Sequence, residues 1–198
     1  MFRLTNLKIG LRLQLIVALS ILGMLILQAA DLMQIRNELI EDRKVKTRHL
    51  VESAHSLIAS FDAQAKAGAI SEAEAKNAAK AAIKALRYDE KEYFWINDMT
   101  PRMVMHPYKP ALDGKDLSGF KDPAGKHLFV EFANTVKAEG AGFVDYKWPK
   151  PGAEQPVDKI SYVAGYKPWG WIVGSGIYLD DVETIFLNQI KRSAIIFG

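Results

Sequence analysis

Lys159 stands inside an otherwise apolar run, Lys159-Ile160-Ser161-Tyr162-Val163, and any chemistry of this chain is expected to turn on it. An ammonium carried into an apolar sheet is costly unless an anion meets it. That anion can be a neighbouring carboxylate, with Asp98, Asp145 and Glu154 as candidates, or an anionic ligand. A small carboxylate is held by a cation with one or two hydroxyl or indole donors inside an apolar enclosure. The chain supplies those types: His106 and Lys150 as further cations, Tyr93, Tyr146, Tyr162 and Tyr166 as hydroxyls, Trp95 and Trp148 as walls. The period of two in a strand puts Tyr93, Trp95 and Asn97 on one face and groups Val144, Tyr146 and Trp148 likewise. It sets Lys159, Ser161 and Val163 against Ile160 and Tyr162. The candidate binding residues are Tyr93, Trp95, His106, Tyr146, Trp148, Lys159, Tyr162 and Tyr166. Each has a structural alternative. Tyr162 and Tyr166 can be buried tyrosines with satisfied hydroxyls, His106 a backbone-bonded histidine before Pro107, and Lys150 a solvated turn lysine. Trp169 and Trp171 read as core plugs.

Catalytic constellations do not emerge. His49 and His55 are six apart on a helix, which does not set both on one face for a metal. Gly140-Ala141-Gly142 precedes a strand instead of following one, unlike a phosphate loop. Asp113-Gly114-Lys115-Asp116 is too poor in acids for a calcium loop, and Gly174-Ser175-Gly176 lies within a strand, not at a nucleophile elbow. With no cysteine, disulfides and thiolate chemistry are excluded. The net charge of +3 is spread among mixed signs, which argues against a nucleic-acid partner. Neither an enzyme nor a cofactor is expected.

The positioning elements begin with a span. Leu13 to Ala30 is eighteen residues without a charge, about 27 Å of helix against about 30 Å of bilayer hydrocarbon. Arg3, Lys8 and Arg12 precede it and Asp31 follows, so residues 1–12 are expected in the cytoplasm and 13–30 across the membrane. A cleaved signal peptide is the alternative, for which the apolar stretch is long. Beyond Lys191 and Arg192 the apolar Ser193 to Phe197 reads as the start of a second membrane helix, 191–198. Residues 31–190 form the expected sensor domain between the two.

Residues 31 to about 66 contain no Gly or Pro and suit one long helix ending at Gly68. Its stripe Leu50, Ala54, Leu57, Phe61 serves packing on its own domain, homodimerisation through paired helices, or both. Ser71 to Glu74 is a capping box opening a second helix to about Leu86. From Tyr93 aromatic and β-branched residues alternate with polar ones, giving strands near 92–98, 102–106, 142–149, 158–166 and 170–178, with a helix over 126–137. Asp180-Asp181 starts a final helix, acids at its amino end. The expected class is α+β, a long helix packed on a five-stranded antiparallel sheet.

Tyr93 to Asp98, Met105-His106-Pro107, Gly114 to Leu117, Asp122 to Lys126, Gly142 to Gly152, Lys159 to Val163 and Pro168 to Asp181 together resemble the single Cache domain of bacterial chemoreceptors and sensor kinases. The similarity runs in order over 31 to about 190. It implies a PAS-like sheet behind a membrane-proximal helix, and the periplasmic part of an inner-membrane methyl-accepting chemotaxis protein. It also implies a small carboxylate such as acetate, propionate, pyruvate or lactate as ligand. The alternatives are the sensor of a histidine kinase or cyclic-dinucleotide enzyme, or an interaction module without a small ligand.

Overall fold

A computed structural model describes residues 8–89 and 91–197, apart from the side chains at 12, 189 and 192–197. Most of the expected cytoplasmic segment 1–12, and Gly198, lie outside the described residues. Helix α1 runs Ile9–Lys66, α2 Glu72–Ala85, α3 Leu128–Glu139 and α4 Leu179–Phe197. The strands are β1 Arg87–Tyr88, β2 Glu92–Tyr93, β3 Trp95–Asp98, β4 Met103–Met105, β5 Ala141–Pro149, β6 Pro156–Tyr166 and β7 Trp171–Tyr178. Two compact units divide the chain after Leu39.

The first unit is the early part of α1. Its most apolar 18-residue window has no buried residue, and by length and composition the helix is long and apolar enough to cross a membrane. The second unit holds everything from Ile40. There α1 ends at Gly68, where the amide of Ala69 donates to Gln64 O and that of Gly68 to Ala65 O. This Schellman arrangement requires the positive φ of +74° that glycine adopts without strain. The expected capping box opens α2: Ser71 Oγ accepts from Glu74 N while Glu74 Oε2 accepts from Ser71 N.

The five-stranded sheet is antiparallel throughout in the order β4-β3-β7-β6-β5. It agrees with the expected class and, apart from the first, with the strands read from alternation. Two details differ. The expected first strand breaks at Phe94, and its first part, β2, pairs instead with the short β1. The buried stripe of α1 is Val51, Ala54 and Ile58, while Leu50, Leu57 and Phe61 are half-buried at its margin. An offset of one residue turns a helix by about 100°, enough to choose a different stripe.

Each sheet face carries its own core. Against α1 and α2 pack Phe94, Ile96, Ala164, Tyr166, Trp171 and Val173. Against α3 and the loop before it pack Trp95, Val144, Tyr146, Trp148, Val163 and Ile172, covered by Leu128, Phe129, Phe132 and Val136. Burial of each such aromatic or branched side chain contributes about 1.5–3 kcal/mol. Gly174 makes room on the second face: a Cβ there would stand 2.5 Å from the Trp95 ring.

Candidate ligand-binding site

On the α3 face, strand parity gathers six of the eight expected residues. Tyr146 and Lys159 are direct cross-strand partners, and Lys159 is also paired with Tyr178 on its other side. A β-bulge between Ile96 and Asn97 shifts the β3–β4 register, so that Met103 joins the α3 core and Met105 the other. His106, next after Met105, then turns toward α3. The rings of Tyr93 and His106 lie 5.0 Å apart and those of His106 and Trp148 5.8 Å. Tyr93, Trp95, His106, Tyr146 and Trp148 with Leu128, Phe129 and Phe132 line a small hollow of about 10 Å³, roughly the space one water needs.

Lys159 is 1% exposed. Its Nζ contacts Tyr93 Oη at 3.3 Å and Tyr178 Oη at 3.2 Å, and sits 4.3 Å from both ring centroids. Among the described residues no carboxylate pairs with it. Asp98 instead caps its own turn, accepting from the amides of Thr100 and Arg102. Asp145 is held by Lys126 at 2.8 Å, and Glu154 is exposed. The tyrosine faces and hydroxyls give partial compensation for a buried charge. Burial therefore lowers the lysine to about 8, the charge of Glu92 opposing the fall.

His106 is fixed by backbone. Its Nδ1 accepts from the amides of Tyr108 at 3.2 Å and Lys109 at 3.0 Å, which places the ring proton on Nε2. Burial first, then the charges of Lys159 and Lys109, lower it to about 3, so it is a neutral donor across the physiological range. The backbone-bonded alternative and a place at the cavity both hold for this residue. Trp95 gives its indole proton to Asn97 Oδ1 at 3.1 Å and is left as a wall. Tyr146 Oη is 2.9 Å from Ser161 Oγ. Burial raises the Tyr93 and Tyr146 phenols well above their ordinary range.

Tyr162 and Tyr166 are not part of this site. Even-numbered positions of β6 face the long helix, where Tyr162 packs on Phe143 at 4.8 Å. Tyr166 donates to Asp62 Oδ2 on α1 at 2.5 Å, its ring 5.3 Å from His55. Their hydroxyls suggested ligand donors; parity makes them fastenings of α1. Lys150 ties the β5–β6 turn to α4 through Asp180 and Asp181, both at 2.7 Å. Two residues outside the expected set belong beside Lys159. Tyr178 could be found only from the β6–β7 register, and Glu92 precedes Tyr93 without any sequence signal of its own.

The single Cache domain 2 family matches residues 39–191. The chemotaxis protein McpP of Pseudomonas putida is 42% identical over 193 residues, 98% of this chain and 36% of that protein. The sensor histidine kinase MctS of Rhizobium johnstonii is 38% identical over 117 residues, 59% of this chain and 25% of that protein. The chain thus spans about a third or less of these relatives' length. A solved periplasmic sensor domain of a chemotaxis protein is 60% identical at a TM-score of 0.69, with 70% of this chain and 96% of that one covered. A Cache chemosensory domain solved for its carboxylic acid recognition is 46% identical at a TM-score of 0.69, with 72% and 97% covered. The chain therefore belongs to the single Cache family of sensor domains.

Proposed function

We propose that this chain is the ligand-sensing region of an inner-membrane chemoreceptor whose sensor domain lies in the periplasm and binds a carboxylate of two to four carbons. The observation that carries the reading is Lys159, a buried ammonium that touches two tyrosine hydroxyls and forms no ion pair with a carboxylate among the described residues. A bound carboxylate supplies the missing charge. Tyr93 and the Nε2–H of His106 are the neutral donors beside it, and Leu128, Phe129 and Phe132 of α3 meet its short apolar end.

The hollow is smaller than any such ligand, so its walls part on binding. The cover is α3 and the loop before it, where Phe120 packs on Phe129 at 5.8 Å and on Trp148 at 5.6 Å. A cleft of about 230 Å³ between the 122–126 loop and β5–β6 reaches Lys159 from outside. A ligand that holds the cover in one arrangement favours one state of the domain by differential contact, and α1 and α4 are the elements that carry the difference toward the membrane. Residues 13–30 as a first span, 191–198 as the start of a second, and a homodimer through α1 belong to the same reading. The charge pattern before Leu13 supports an amino terminus inside.

A thermal-shift panel of carboxylates of two to four carbons, amino acids and amines tests the ligand class. Carboxylates should raise the unfolding midpoint and Lys159→Ala should abolish the rise while the protein stays folded. No rise with any carboxylate would end the reading.

A further inference from the structure

Among the described residues, one buried side-chain oxygen lacks a hydrogen-bond partner, Oε2 of Glu92. Glu92 lies opposite Tyr88 in the small β1–β2 sheet and lines a groove of about 300 Å³. The other walls of that groove include Arg43 of α1, Tyr178 of β7, and Asp181 and Ile185 of α4. Both tyrosines that touch Lys159 are therefore its neighbours, Tyr93 along the chain and Tyr178 across the groove. No ion pair joins Glu92 to the surrounding cations whose partners are known. Arg43 is held by Asp89 at 2.9 Å, and Lys150 by Asp180 and Asp181. Half-buried Glu92 and buried Lys159 thus carry opposite charges beside the same two tyrosines without forming an ion pair.

We propose that Glu92 is the internal competitor of the ligand for Lys159, so that an anion arriving at Lys159 drives a proton onto Glu92. This rests on the carboxylate reading of the cavity. The energetics follow from the groups that face Glu92. Burial raises it to about 7, the charge of Lys159 pulls it down, Asp181 and Asp89 push it up, and Lys150 pulls it down. Lys91, its neighbour in the chain, also lines the groove. The phenols of Tyr88, Tyr93 and Tyr178 are all raised by burial and stay protonated, so they take no part in the exchange. A carboxylate at Lys159 cancels the pull that keeps Glu92 charged, and the carboxyl takes up a proton from the groove. By reciprocity, acidification strengthens ligand binding to the same extent. Neutral Glu92 then removes one charge from the groove that Arg43 of α1 and Asp181 of α4 share.

The test is calorimetric titration of the full chain in detergent with sodium propionate at pH 7, in phosphate and in Tris, whose ionisation enthalpies differ. If the anion raises Glu92 by about one pKa unit, wild type takes up roughly 0.4 proton per ligand. In Glu92→Gln the lost charge no longer holds Lys159 up, so uptake there belongs to the lysine; the Glu92 share is read directly in wild type, where propionate at pH 7 should move the carbon-13 signal of its carboxyl toward the protonated position. Glu92→Leu should behave alike and serves if the amide shifts the unfolding midpoint. Wild-type binding without uptake, or with a Glu92 carboxyl signal that propionate does not move, overturns the proposal and leaves the carboxylate reading intact. Absence of propionate binding to wild type, together with no thermal shift from any carboxylate, overturns both.

Discussion

Replacing Lys159 by Met keeps the length of the side chain and removes its charge, and the structure predicts a more stable protein that no longer binds. The lysine falls from 10.5 to about 8 on folding, a difference of roughly 3 kcal/mol against the charged form. The contacts to the Tyr93 and Tyr178 hydroxyls, at 3.3 and 3.2 Å, return part of this, about 0.5–1 kcal/mol each. Lys159→Met should therefore stabilise the unliganded domain by about 1–3 kcal/mol at pH 7. The pH dependence has a definite sign. A lysine depressed by folding costs stability wherever the unfolded chain is protonated, fully below about 8 and not at all above 10.5. Wild type should accordingly gain on the variant between pH 8 and 10.5 until the two converge. Urea unfolding at pH 7, 8.5 and 10 with and without propionate measures both effects. A variant less stable than wild type at pH 7, or one that propionate still stabilises, would refute the reasoning.

His106 gives a second pH signature. Its depression from 6.5 to about 3 contributes stability that is present above 6.5 and is lost as pH falls toward 3. His106→Gln should remove that part of the acid dependence in unfolding experiments at pH 4 and 7, and NMR should find the wild-type ring neutral at pH 5. Tyr166→Phe removes the bond to Asp62 on α1, so it should lower the unfolding midpoint by a few degrees and leave propionate affinity unchanged, which separates the two faces of the sheet. The chain has no cysteine, so single cysteines at Glu52, Ser53, Ser56 and Ser60, all exposed on α1, report helix pairing directly. If α1 pairs with a second copy, oxidation should cross-link a subset on one helix stripe. Uniform or absent cross-linking would count against that dimer.

What the sequence made legible was set by local periodicity. The alternation of Tyr93 with Phe94, of Tyr146 with Lys147 and of Lys159 with Ile160 already sorted the two faces, and the core strands lie where turn residues bound them. The capping box at Ser71 and the glycine end of α1 were equally local. What escaped depended on pairing between distant strands. That Tyr178 stands beside Lys159 follows from a register set by the turn at Lys167–Trp169, and the turn of His106 toward α3 depends on the extra residue, Val104, that β4 places opposite the Ile96–Asn97 step of β3. Tyr162 and Tyr166 offer hydroxyls to a ligand, but their parity sets them opposite Lys159. Glu92 looked like an ordinary charged residue before a strand; only the packing around it shows an oxygen without a partner.

The most direct test of the central claim is a crystal structure of residues 31–190 grown with propionate, supported by its thermal shift in solution. The account predicts the carboxylate within hydrogen-bond distance of Lys159 Nζ, flanked by Tyr93 Oη and His106 Nε2, with its carbon chain toward Phe129 and Phe132. Propionate found on the Tyr162–Tyr166 face or in the groove at Glu92, with the space between Tyr93, His106 and α3 unchanged, would contradict it.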